Sequence, residues 1–433
     1  MSHTTANRYL VHGGVPLSGT VRISGNKNAA LPCLAASLLA TEPVTLRNVP
    51  HIEDVRVMVS LLEELGMTVT NTVQGVFTIT GTPRVVPLPY ELVDAVRASI
   101  LLVGPLTVRC GGVQIPPPGG DVIGQRRLDT HFEALKSLGA ACSLQASGIL
   151  DVSAPQGLDG THIFLDEASV TATENAVMAA TLAHGTTIIQ NAASEPHVQD
   201  LCRMLCAMGA RISGIGSNLL TIEGVEELKG CDFSIGYDYM EAGSFIGLAA
   251  ATRGTIILEG TDGTDMPMIR YGFQRLGITW ESQADNRLVV PATQSRQIVR
   301  TMAGGTPKLD DAPWPGFPAD LLSIMTVVAT QVEGSILIHE KMFESRMFFV
   351  DWLIRMGADI ILCDPHRAVI QGPTPLSPAR LTSPDVRAGM ALVIAALCAG
   401  GKSEIQNIYQ VERGYEDLVG KLKALGADIE RID

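Results

Sequence analysis

The chain has 433 residues, of which 46% are hydrophobic and 18% charged, and its formal net charge at pH 7 is −13. This length exceeds what one ordinary hydrophobic core supports, so we expect two domains or a repeat array. The negative charge argues against a nucleic-acid-binding protein, which needs a basic surface.

Several sequence features bear on where the protein works and what it binds. Residues 1–8 are polar and lack the apolar centre of a secretory signal peptide. The longest apolar runs, such as residues 390–399, are too short to span a bilayer. The eight cysteines include no CxxC pair, and the histidines show no metal-ligand spacing. We therefore expect a cytoplasmic protein with no membrane insertion, no disulfide framework, no metal and no other cofactor.

The predicted elements repeat along the chain. After a first strand at residues 9–11, a helix-ending pattern of Leu or Met followed by Gly occurs six times, at intervals of 68 to 80 residues. Such a glycine suits the end of a helix, and a β-branched strand follows each time. The six glycines are Gly66, Gly139, Gly209, Gly277, Gly357 and Gly426.

A second kind of helix is predicted about half a repeat away from these glycines. Six segments are apolar nearly all round, which is typical of buried helices. They are residues 30–40, 98–106, 176–183, 245–252, 321–330 and 388–399. We therefore predict an α/β fold of six units of roughly 70 residues, three per domain, with buried helices inside and sheets outside.

The repeat also predicts the domain boundaries. We assign residues 22–236 to an N-terminal three-unit domain that carries the Asp121 loop, and residues 1–21 plus 237–433 to a C-terminal three-unit domain. The strand at residues 9–11 precedes a complete unit, so we expect it to pair with the last unit of the chain.

Polar residues stand at the predicted N-terminal ends of the buried helices, where free backbone N–H groups attract anions. Acidic or amide residues fit ordinary caps and first turns. A cation opposes the helix dipole unless an anion is bound, so the cations predict an anion-binding cleft. The residues are Lys27, Asn28, Arg97, Glu174, Asn175, Glu241, Asp320 and Arg387.

Residues 116–127 combine three prolines, three glycines, one acid and two arginines. Asp121 lies between Gly120 and Gly124, and Arg126 and Arg127 follow. A loop with one acid beside two anion-binding groups suits a lid over a phosphate-bearing substrate. The alternative is a solvated surface loop.

Eight segments, in order over nearly the whole chain, resemble the UDP-N-acetylglucosamine 1-carboxyvinyltransferase family. They are residues 24–30, 96–99, 118–126, 169–175, 317–320, 343–346, 385–388 and 413–416. The resemblance implies a two-domain inside-out α/β barrel with the active site in the cleft between the domains. The related shikimate enolpyruvyl transferases share this architecture, but their own signature segments do not occur in this chain.

The resemblance also implies an activity. The family transfers the enolpyruvyl group of phosphoenolpyruvate to the 3-hydroxyl of UDP-N-acetylglucosamine and releases phosphate, the first committed step of peptidoglycan precursor synthesis. Addition followed by elimination needs two acid/base groups. The implied partners are these two small molecules, with no nucleic acid and no obligatory protein partner.

Residue roles follow from the matching positions of the family. Asp121 takes the general-acid place, where most members have cysteine and some have aspartate. Asp320 takes the place of the base. The other implied site residues are Lys27, Arg126 and Arg387 for phosphoenolpyruvate, Asn28 near the reacting centre, Arg97, Ser169, Val170 and Met342 for the UDP-sugar, and Arg346 at a further position of the motif.

Three residues depart from the pattern of the family. Glu167 replaces a lysine, Thr171 a glycine, and Tyr239 an arginine. These departures leave open transfer to another nucleotide or UDP-sugar, and a non-catalytic paralogue that binds a UDP-sugar. His131 is either a structural hydrogen-bonding residue or a neighbour of the site. Because a carboxylate is a poorer nucleophile than a thiolate, Asp121 predicts insensitivity to the epoxide antibiotic fosfomycin, which alkylates the loop cysteine of the family.

Overall fold

The computed structural model describes residues 7–120, 123–124 and 126–432. The strands are β1 (Arg8–Gly13), β2 (Gly19–Arg22), β3 (Val44–Arg47), β4 (Thr68–Val73), β5 (Val76–Thr80), β6 (Gly112–Ile115), β7 (Ala141–Leu144), β8 (Leu150–Ser153), β9 (His162–Phe164), β10 (Thr186–Gln190), β11 (Arg211–Ser213), β12 (Leu219–Glu223), β13 (Asp232–Ser234), β14 (Ile256–Glu259), β15 (Glu281–Gln283), β16 (Arg287–Val290), β17 (Lys308–Asp310), β18 (Gly334–His339), β19 (Asp359–Asp364), β20 (Arg367–Gly372), β21 (Arg380–Thr382), β22 (Gly401–Gln406) and β23 (Asp428–Ile432).

Helices alternate with these strands. The α-helices are α1 (Lys27–Ala36), α2 (Glu53–Glu64), α3 (Tyr90–Ala95), α4 (Val103–Cys110), α5 (Asp129–Ser137), α6 (Val170–Ala180), α7 (Pro196–Ala207), α8 (Tyr239–Thr252), α9 (Pro267–Arg275), α10 (Leu322–Thr330), α11 (Val350–Arg355), α12 (Val386–Cys398), α13 (Tyr409–Glu412) and α14 (Leu418–Ala424). Short 3-10 helices cover Ser37–Leu39, Arg97–Leu102, Ala319–Leu321 and Arg346–Phe349. None of these helices is long and apolar enough to cross a bilayer.

The described residues divide into two compact units. The N-terminal unit contains residues 25–120 and 126–236, and the C-terminal unit contains residues 7–24, 123–124 and 237–432. Residues 22–24 were predicted to belong to the N-terminal domain. They lie in the C-terminal unit because β2 pairs in parallel with β14, with Arg22 opposite Glu259. Ile123 also lies in the C-terminal unit, where its carbonyl accepts a hydrogen bond from Ser345 N at 3.3 Å.

Three sheets cover each unit, and five of the six share one topology. In each of the five, an outer strand runs parallel to the strand that follows a buried helix, and two antiparallel strands complete the sheet. Their orders are β13-β3-β5-β4 and β9-β10-β12-β11 in the N-terminal unit, and β2-β14-β16-β15, β17-β18-β20-β19 and β21-β22-β1-β23 in the C-terminal unit. The sixth sheet, β6-β8-β7, has only antiparallel pairs.

The N-terminal strand completes the last sheet of the chain. β1 lies antiparallel between β22 and β23, with Tyr9 opposite Ile405 and Arg431. The expected pairing of residues 9–11 with the last unit is therefore confirmed. The pairing joins the first strand to the last sheet of the chain, so residues 7–24 and 237–432 fold together in the C-terminal unit.

Each unit has its own hydrophobic core around three buried helices. In the C-terminal unit, α8, α10 and α12 pack against one another, and every residue of α8 is buried. Close packing of α8 on α10 depends on glycine: a Cβ at Gly247 would lie 2.4 Å from Ile324 Cγ2. The prediction of an α/β fold with six repeated units, helices inside and sheets outside, is confirmed.

The six glycines of the repeat all have positive φ and end the outer helices, as predicted. At the first of them, Gly66 N donates to Glu63 O at 2.9 Å and Met67 N donates to Leu62 O at 3.0 Å. This pair of bonds closes the helix and turns the chain into the next strand. Because the pattern is local, it can be read directly from sequence.

Candidate active site

Asp320 lies between two arginines in the C-terminal unit. It belongs to the 3-10 helix Ala319–Leu321, which leads into α10. Its Oδ1 accepts a hydrogen bond from Arg346 Nη2 at 2.5 Å, and its Oδ2 accepts one from Arg387 Nε at 3.0 Å. Both carboxylate oxygens are therefore held by charged donors, the strong class of protein hydrogen bond.

Asp385 holds the second of these arginines in place at the start of α12. Its carboxylate caps the helix by accepting hydrogen bonds from the backbone N–H groups of Arg387 and Ala388, at 2.8 and 2.9 Å. The same oxygen lies 3.8 Å from Arg346 Nη1. Asp385 therefore satisfies the helix end and offsets the positive charge of two neighbouring buried arginines.

The two arginines retain donors that no described residue accepts. Arg346 and Arg387 are only 8% and 4% exposed. Arg346 Nε and Arg387 Nη1 are buried and have no hydrogen-bond partner among the described residues. A buried, unpaired donor on a cation is costly, and an anionic ligand would satisfy it. The arrangement favours an anion-binding role for this cluster.

The pKa of Asp320 follows from the same contacts. Burial alone would raise it, but the charges and hydrogen bonds of Arg346 and Arg387 outweigh burial and hold the pKa well below its usual value. The carboxylate is ionised at neutral pH and is a weak proton acceptor while both arginines bind it. A ligand that draws one arginine away would raise this pKa and make Asp320 a better base.

A buried carboxyl pair anchors the segment that precedes Arg346. Asp311 is fully buried and accepts hydrogen bonds from the backbone N–H groups of Lys341 at 2.5 Å and Met342 at 3.1 Å. Glu340 is 1% exposed, and burial together with the neighbouring Asp311 raises its pKa to about 9. Glu340 is therefore protonated at neutral pH. The Met342 side chain is exposed, while its backbone N–H is held by the buried Asp311 carboxylate.

In the N-terminal unit, Lys27 begins α1 and pairs with a buried acid. The helix is capped by Asn26, whose side chain accepts a hydrogen bond from Asn28 N at 2.8 Å. Lys27 Nζ lies 2.7 Å from Asp54 Oδ2, and both side chains are largely buried. A cation at this helix end was predicted to be compensated by a bound anion. In the structure Asp54, from the first turn of α2, supplies that negative charge.

Arg97 joins the two sides of the Pro/Gly segment. Its Nη1 donates to the Pro118 carbonyl at 3.3 Å and its Nη2 to the Arg126 carbonyl at 2.5 Å. Burial, aided by the charge of Arg126, lowers the pKa of Arg97 to about 10, so it stays charged at neutral pH. Asp121, the predicted acid of this segment, lies outside the described residues.

Ser169 and Val170 form the start of α6. The Ser169 side chain caps the helix by accepting a hydrogen bond from Ala172 N at 3.4 Å, and Val170 is its first residue. Glu174 and Asn175, which were predicted at the helix end, lie deeper in α6 and are each 1% exposed. That prediction is wrong because the cap at Ser169 starts the helix ahead of the apolar segment.

This chain is similar to proteins of known class over nearly its whole length. Residues 11–422 match the family model of EPSP synthase (3-phosphoshikimate 1-carboxyvinyltransferase). The chain is 58% identical to the UDP-N-acetylglucosamine 1-carboxyvinyltransferase of Treponema denticola, over 98% of this chain and 99% of that protein. The identity with the protein of the same name from Treponema pallidum is 56%, over 97% and 98% of the two chains.

The chain belongs to the UDP-N-acetylglucosamine 1-carboxyvinyltransferase family. The crystal structure of the enolpyruvyl transferase NikO from Streptomyces tendae has the same fold, with a TM-score of 0.86 at 25% identity over 99% of each chain. The resemblance stated from eight sequence motifs is confirmed. The transferase thus has the inside-out α/β fold predicted for it.

The structure of this transferase brings some predicted site residues into contact. Asp320, Arg346 and Arg387 form one cluster in the C-terminal unit, and Arg97 contacts the Arg126 backbone in the N-terminal unit. Lys27 and Asn28 lie at the start of α1, as expected, and Ser169 and Val170, which were predicted only as UDP-sugar positions, lie at the start of α6. Glu241, in the first turn of α8, is buried and pairs with Lys421 Nζ at 2.6 Å.

The three departures from the family pattern have different surroundings. Tyr239 is 2% exposed and packs in the core of the C-terminal unit, with its ring centre 5.8 Å from that of Trp314. Glu167 is exposed, and its carbonyl accepts a hydrogen bond from Ser169 N at 2.7 Å. Thr171 is half-buried near the start of α6. Glu167 and Thr171 therefore lie near the start of α6 with accessible side chains, whereas Tyr239 is part of the core of the C-terminal unit.

Three acids that were not predicted from sequence hold the cations and the backbone of the candidate site. Asp54 and Asp385 pair with Lys27 and Arg346, and Asp311 holds the segment that contains Met342. Asp385 could have been found, since an Asp directly before a buried helix is a typical N-cap. Asp54 and Asp311 gave no such signal, because their partners are 27 and 30 residues away in sequence.

Proposed function

We propose that this transferase moves the enolpyruvyl group of phosphoenolpyruvate to the 3-hydroxyl of UDP-N-acetylglucosamine and releases phosphate. The names of relatives up to 58% identical to the chain support UDP-N-acetylglucosamine as the acceptor and a carboxyvinyl group as the transferred group. The observation that carries the chemistry is Asp320 held between Arg346 and Arg387, which sets a carboxylate base beside two cations with unpaired donors. The product would enter peptidoglycan precursor synthesis in the cytoplasm.

In the addition step, the 3-hydroxyl oxygen forms a bond to C2 of the enol, and C3 gains a proton. Asp320 accepts the hydroxyl proton, and Asp121 donates a proton to C3. The resulting tetrahedral ketal carries both the sugar and the phosphate. In the elimination step C3 loses a proton, the C–O bond to phosphate breaks, and the enol double bond forms again.

Binding of phosphoenolpyruvate prepares Asp320 for its role. The substrate carries a carboxylate and a phosphate, which compete with Asp320 for the guanidinium of Arg387. Loss of this partner raises the pKa of Asp320 at the moment when the base is needed. Lys27 and Arg126 are the other cations for phosphoenolpyruvate, with Asn28 near the reacting centre. Arg97, Ser169, Val170 and Met342 contact the UDP-sugar.

The test compares the wild-type protein with the Asp320→Asn variant. Asparagine keeps the shape of the side chain but accepts a proton poorly, so we expect kcat to fall by about 10² to 10⁴. Mass spectrometry of the UDP-sugar product, which gains the enolpyruvyl group, measures turnover. Asp351→Asn, at an exposed position of α11, is the matched control. Turnover of Asp320→Asn within threefold of wild type, with the control unchanged, would exclude Asp320 as the base.

A further inference from the structure

Tyr415 packs against Arg387 in the core of the C-terminal unit. It stands in the turn between α13 and α14, and only 2% of it is exposed. Its ring centre lies 5.2 Å from the guanidinium carbon of Arg387. The turn can approach the start of α12 closely because residue 414 is glycine: a Cβ at Gly414 would lie 2.3 Å from Val386 Cγ1. The backbone thus brings the phenol against the first turn of the helix that carries Arg387.

The hydroxyl of Tyr415 hydrogen-bonds a buried serine of α8. Tyr415 Oη and Ser244 Oγ are 2.8 Å apart, and Ser244 is fully buried. The Ser244 hydroxyl donates its only hydrogen to the Met240 carbonyl, four residues earlier in the helix, at 2.8 Å. In the bond between the two hydroxyls, Tyr415 must therefore donate and Ser244 accepts.

The direction of this bond leaves the phenol oxygen able to accept a hydrogen bond from Arg387. A guanidinium can only donate hydrogen bonds, and Arg387 acts on the Tyr415 hydroxyl both by its charge and by a hydrogen bond. Burial outweighs these effects and raises the pKa of Tyr415, so the phenol keeps its proton at neutral pH. The hydrogen bonds thus run in one direction, from Arg387 through Tyr415 and Ser244 to the helix backbone.

Arg387 therefore has side-chain partners of two kinds. Its Nε donates to the charged carboxylate of Asp320 at 3.0 Å, whereas Tyr415 is a neutral acceptor. Arg387 Nη1 is buried and has no hydrogen-bond partner among the described residues. A carboxylate competes with an anionic ligand for the guanidinium because both are negative, but a neutral phenol can hold the guanidinium while an anion binds it.

We infer that Tyr415, held by Ser244, is a positioning residue that keeps the Arg387 guanidinium in place while this group exchanges Asp320 for phosphoenolpyruvate. The inference rests on the proposed function, which takes phosphoenolpyruvate as the ligand of Arg387. Without the phenol oxygen, the guanidinium would be fixed mainly by Asp320, the partner that it must release. Because Tyr415 acts only through Arg387, its loss should weaken binding of phosphoenolpyruvate more than it slows the chemical step.

The test is steady-state kinetics of the full-length Tyr415→Phe variant, with each substrate varied in turn. Phenylalanine keeps the ring and its packing but removes the acceptor, so we expect the KM for phosphoenolpyruvate to rise about tenfold. The kcat and the KM for UDP-N-acetylglucosamine should stay within about threefold of wild type. Thermal unfolding of the variant checks that the fold is kept.

The matched control is Tyr271→Phe. Tyr271 is an exposed residue of α9 whose ring centre lies 4.9 Å from the guanidinium carbon of Arg275. It therefore pairs a tyrosine with an arginine outside the cluster of Asp320, and its loss should leave kcat and both KM values unchanged.

A double-mutant cycle tests the role of Ser244. Ser244→Ala frees the phenol hydrogen to turn towards the guanidinium, so it should also raise the KM for phosphoenolpyruvate. In the Tyr415→Phe background the same substitution should have no further effect on this KM. Equal effects of Ser244→Ala in both backgrounds would show that Ser244 does not act through Tyr415 and would overturn that part of the inference.

The outcomes separate this inference from the proposed function. An unchanged KM for phosphoenolpyruvate in Tyr415→Phe, an equal rise in both KM values, or a fall in kcat larger than the rise in KM would overturn the role of Tyr415, while turnover by the wild-type protein leaves the proposed function standing. A wild-type protein that does not convert phosphoenolpyruvate with UDP-N-acetylglucosamine would overturn the proposed function and this inference together.

Discussion

Glu340 makes the stability of the C-terminal unit depend on pH. Its carboxyl is 1% exposed, Oε1 has no hydrogen-bond partner among the described residues, and its pKa is raised to about 9 from an ordinary value of 4.5. Between these two values the unfolded chain loses the proton and the folded protein keeps it. The folded state therefore loses stability as pH rises through this window.

The Glu340→Gln variant removes this dependence, because glutamine is uncharged at every pH. One pKa unit corresponds to about 1.36 kcal/mol, and both pH 6 and pH 8 lie inside the window. The stability of Glu340→Gln relative to wild type should therefore rise by up to about 2.7 kcal/mol between pH 6 and pH 8. The sign is independent of any constant packing cost of the amide, which cancels between the two pH values.

Urea unfolding followed by tryptophan fluorescence measures this difference. All three tryptophans, Trp280, Trp314 and Trp352, belong to the C-terminal unit, so the signal reports on the unit that contains Glu340. Glu281→Gln, at an exposed position of β15, should show no change in relative stability between the two pH values. A Glu340→Gln difference that stays constant from pH 6 to pH 8 would refute the protonated buried carboxyl.

Three further outcomes are expected. Arg387→Lys loses the planar guanidinium that bonds Asp320 and that we propose binds phosphoenolpyruvate, so steady-state kinetics should show at least a tenfold higher KM for phosphoenolpyruvate. An unchanged KM would contradict this role. Gly247→Ala forces a Cβ against Ile324 and should destabilise the C-terminal unit by about 1–3 kcal/mol in urea, whereas Gly400→Ala, which meets nothing within 4 Å, should be nearly neutral. Incubation with fosfomycin should leave the wild-type enzyme active and inactivate Asp121→Cys with time. A covalent adduct on wild-type Asp121 would contradict the predicted insensitivity.

The fold could be predicted from sequence because its signals are local and repeated. Each outer helix ends at a glycine with positive φ, and each buried helix is apolar on all faces, so six copies reinforce one interpretation. The boundary at residue 22 was less well placed. The parallel pair of β2 with β14 joins residues more than 230 positions apart, and no local sequence pattern indicates such a pairing.

The sequence motifs predicted which residues belong to the candidate site, but not which of them are in contact. Asp320, Arg346 and Arg387 stand in separate motifs, and the resemblance named them without showing that they touch. The partners that set their protonation and orientation come from elsewhere in the fold. The same is true of Thr171: as a sequence departure it suggested only a changed specificity, whereas the structure shows its hydroxyl in contact with His131, which in turn contacts Asn175.

The most direct test of the proposed activity is phosphate release from phosphoenolpyruvate, measured with and without UDP-N-acetylglucosamine. The account predicts release that depends on the UDP-sugar, with one phosphate formed for each enolpyruvyl product. Release that requires a different nucleotide or sugar would contradict the acceptor. Tight binding of UDP-N-acetylglucosamine without any phosphate release would contradict catalysis itself and leave a protein that only binds the UDP-sugar.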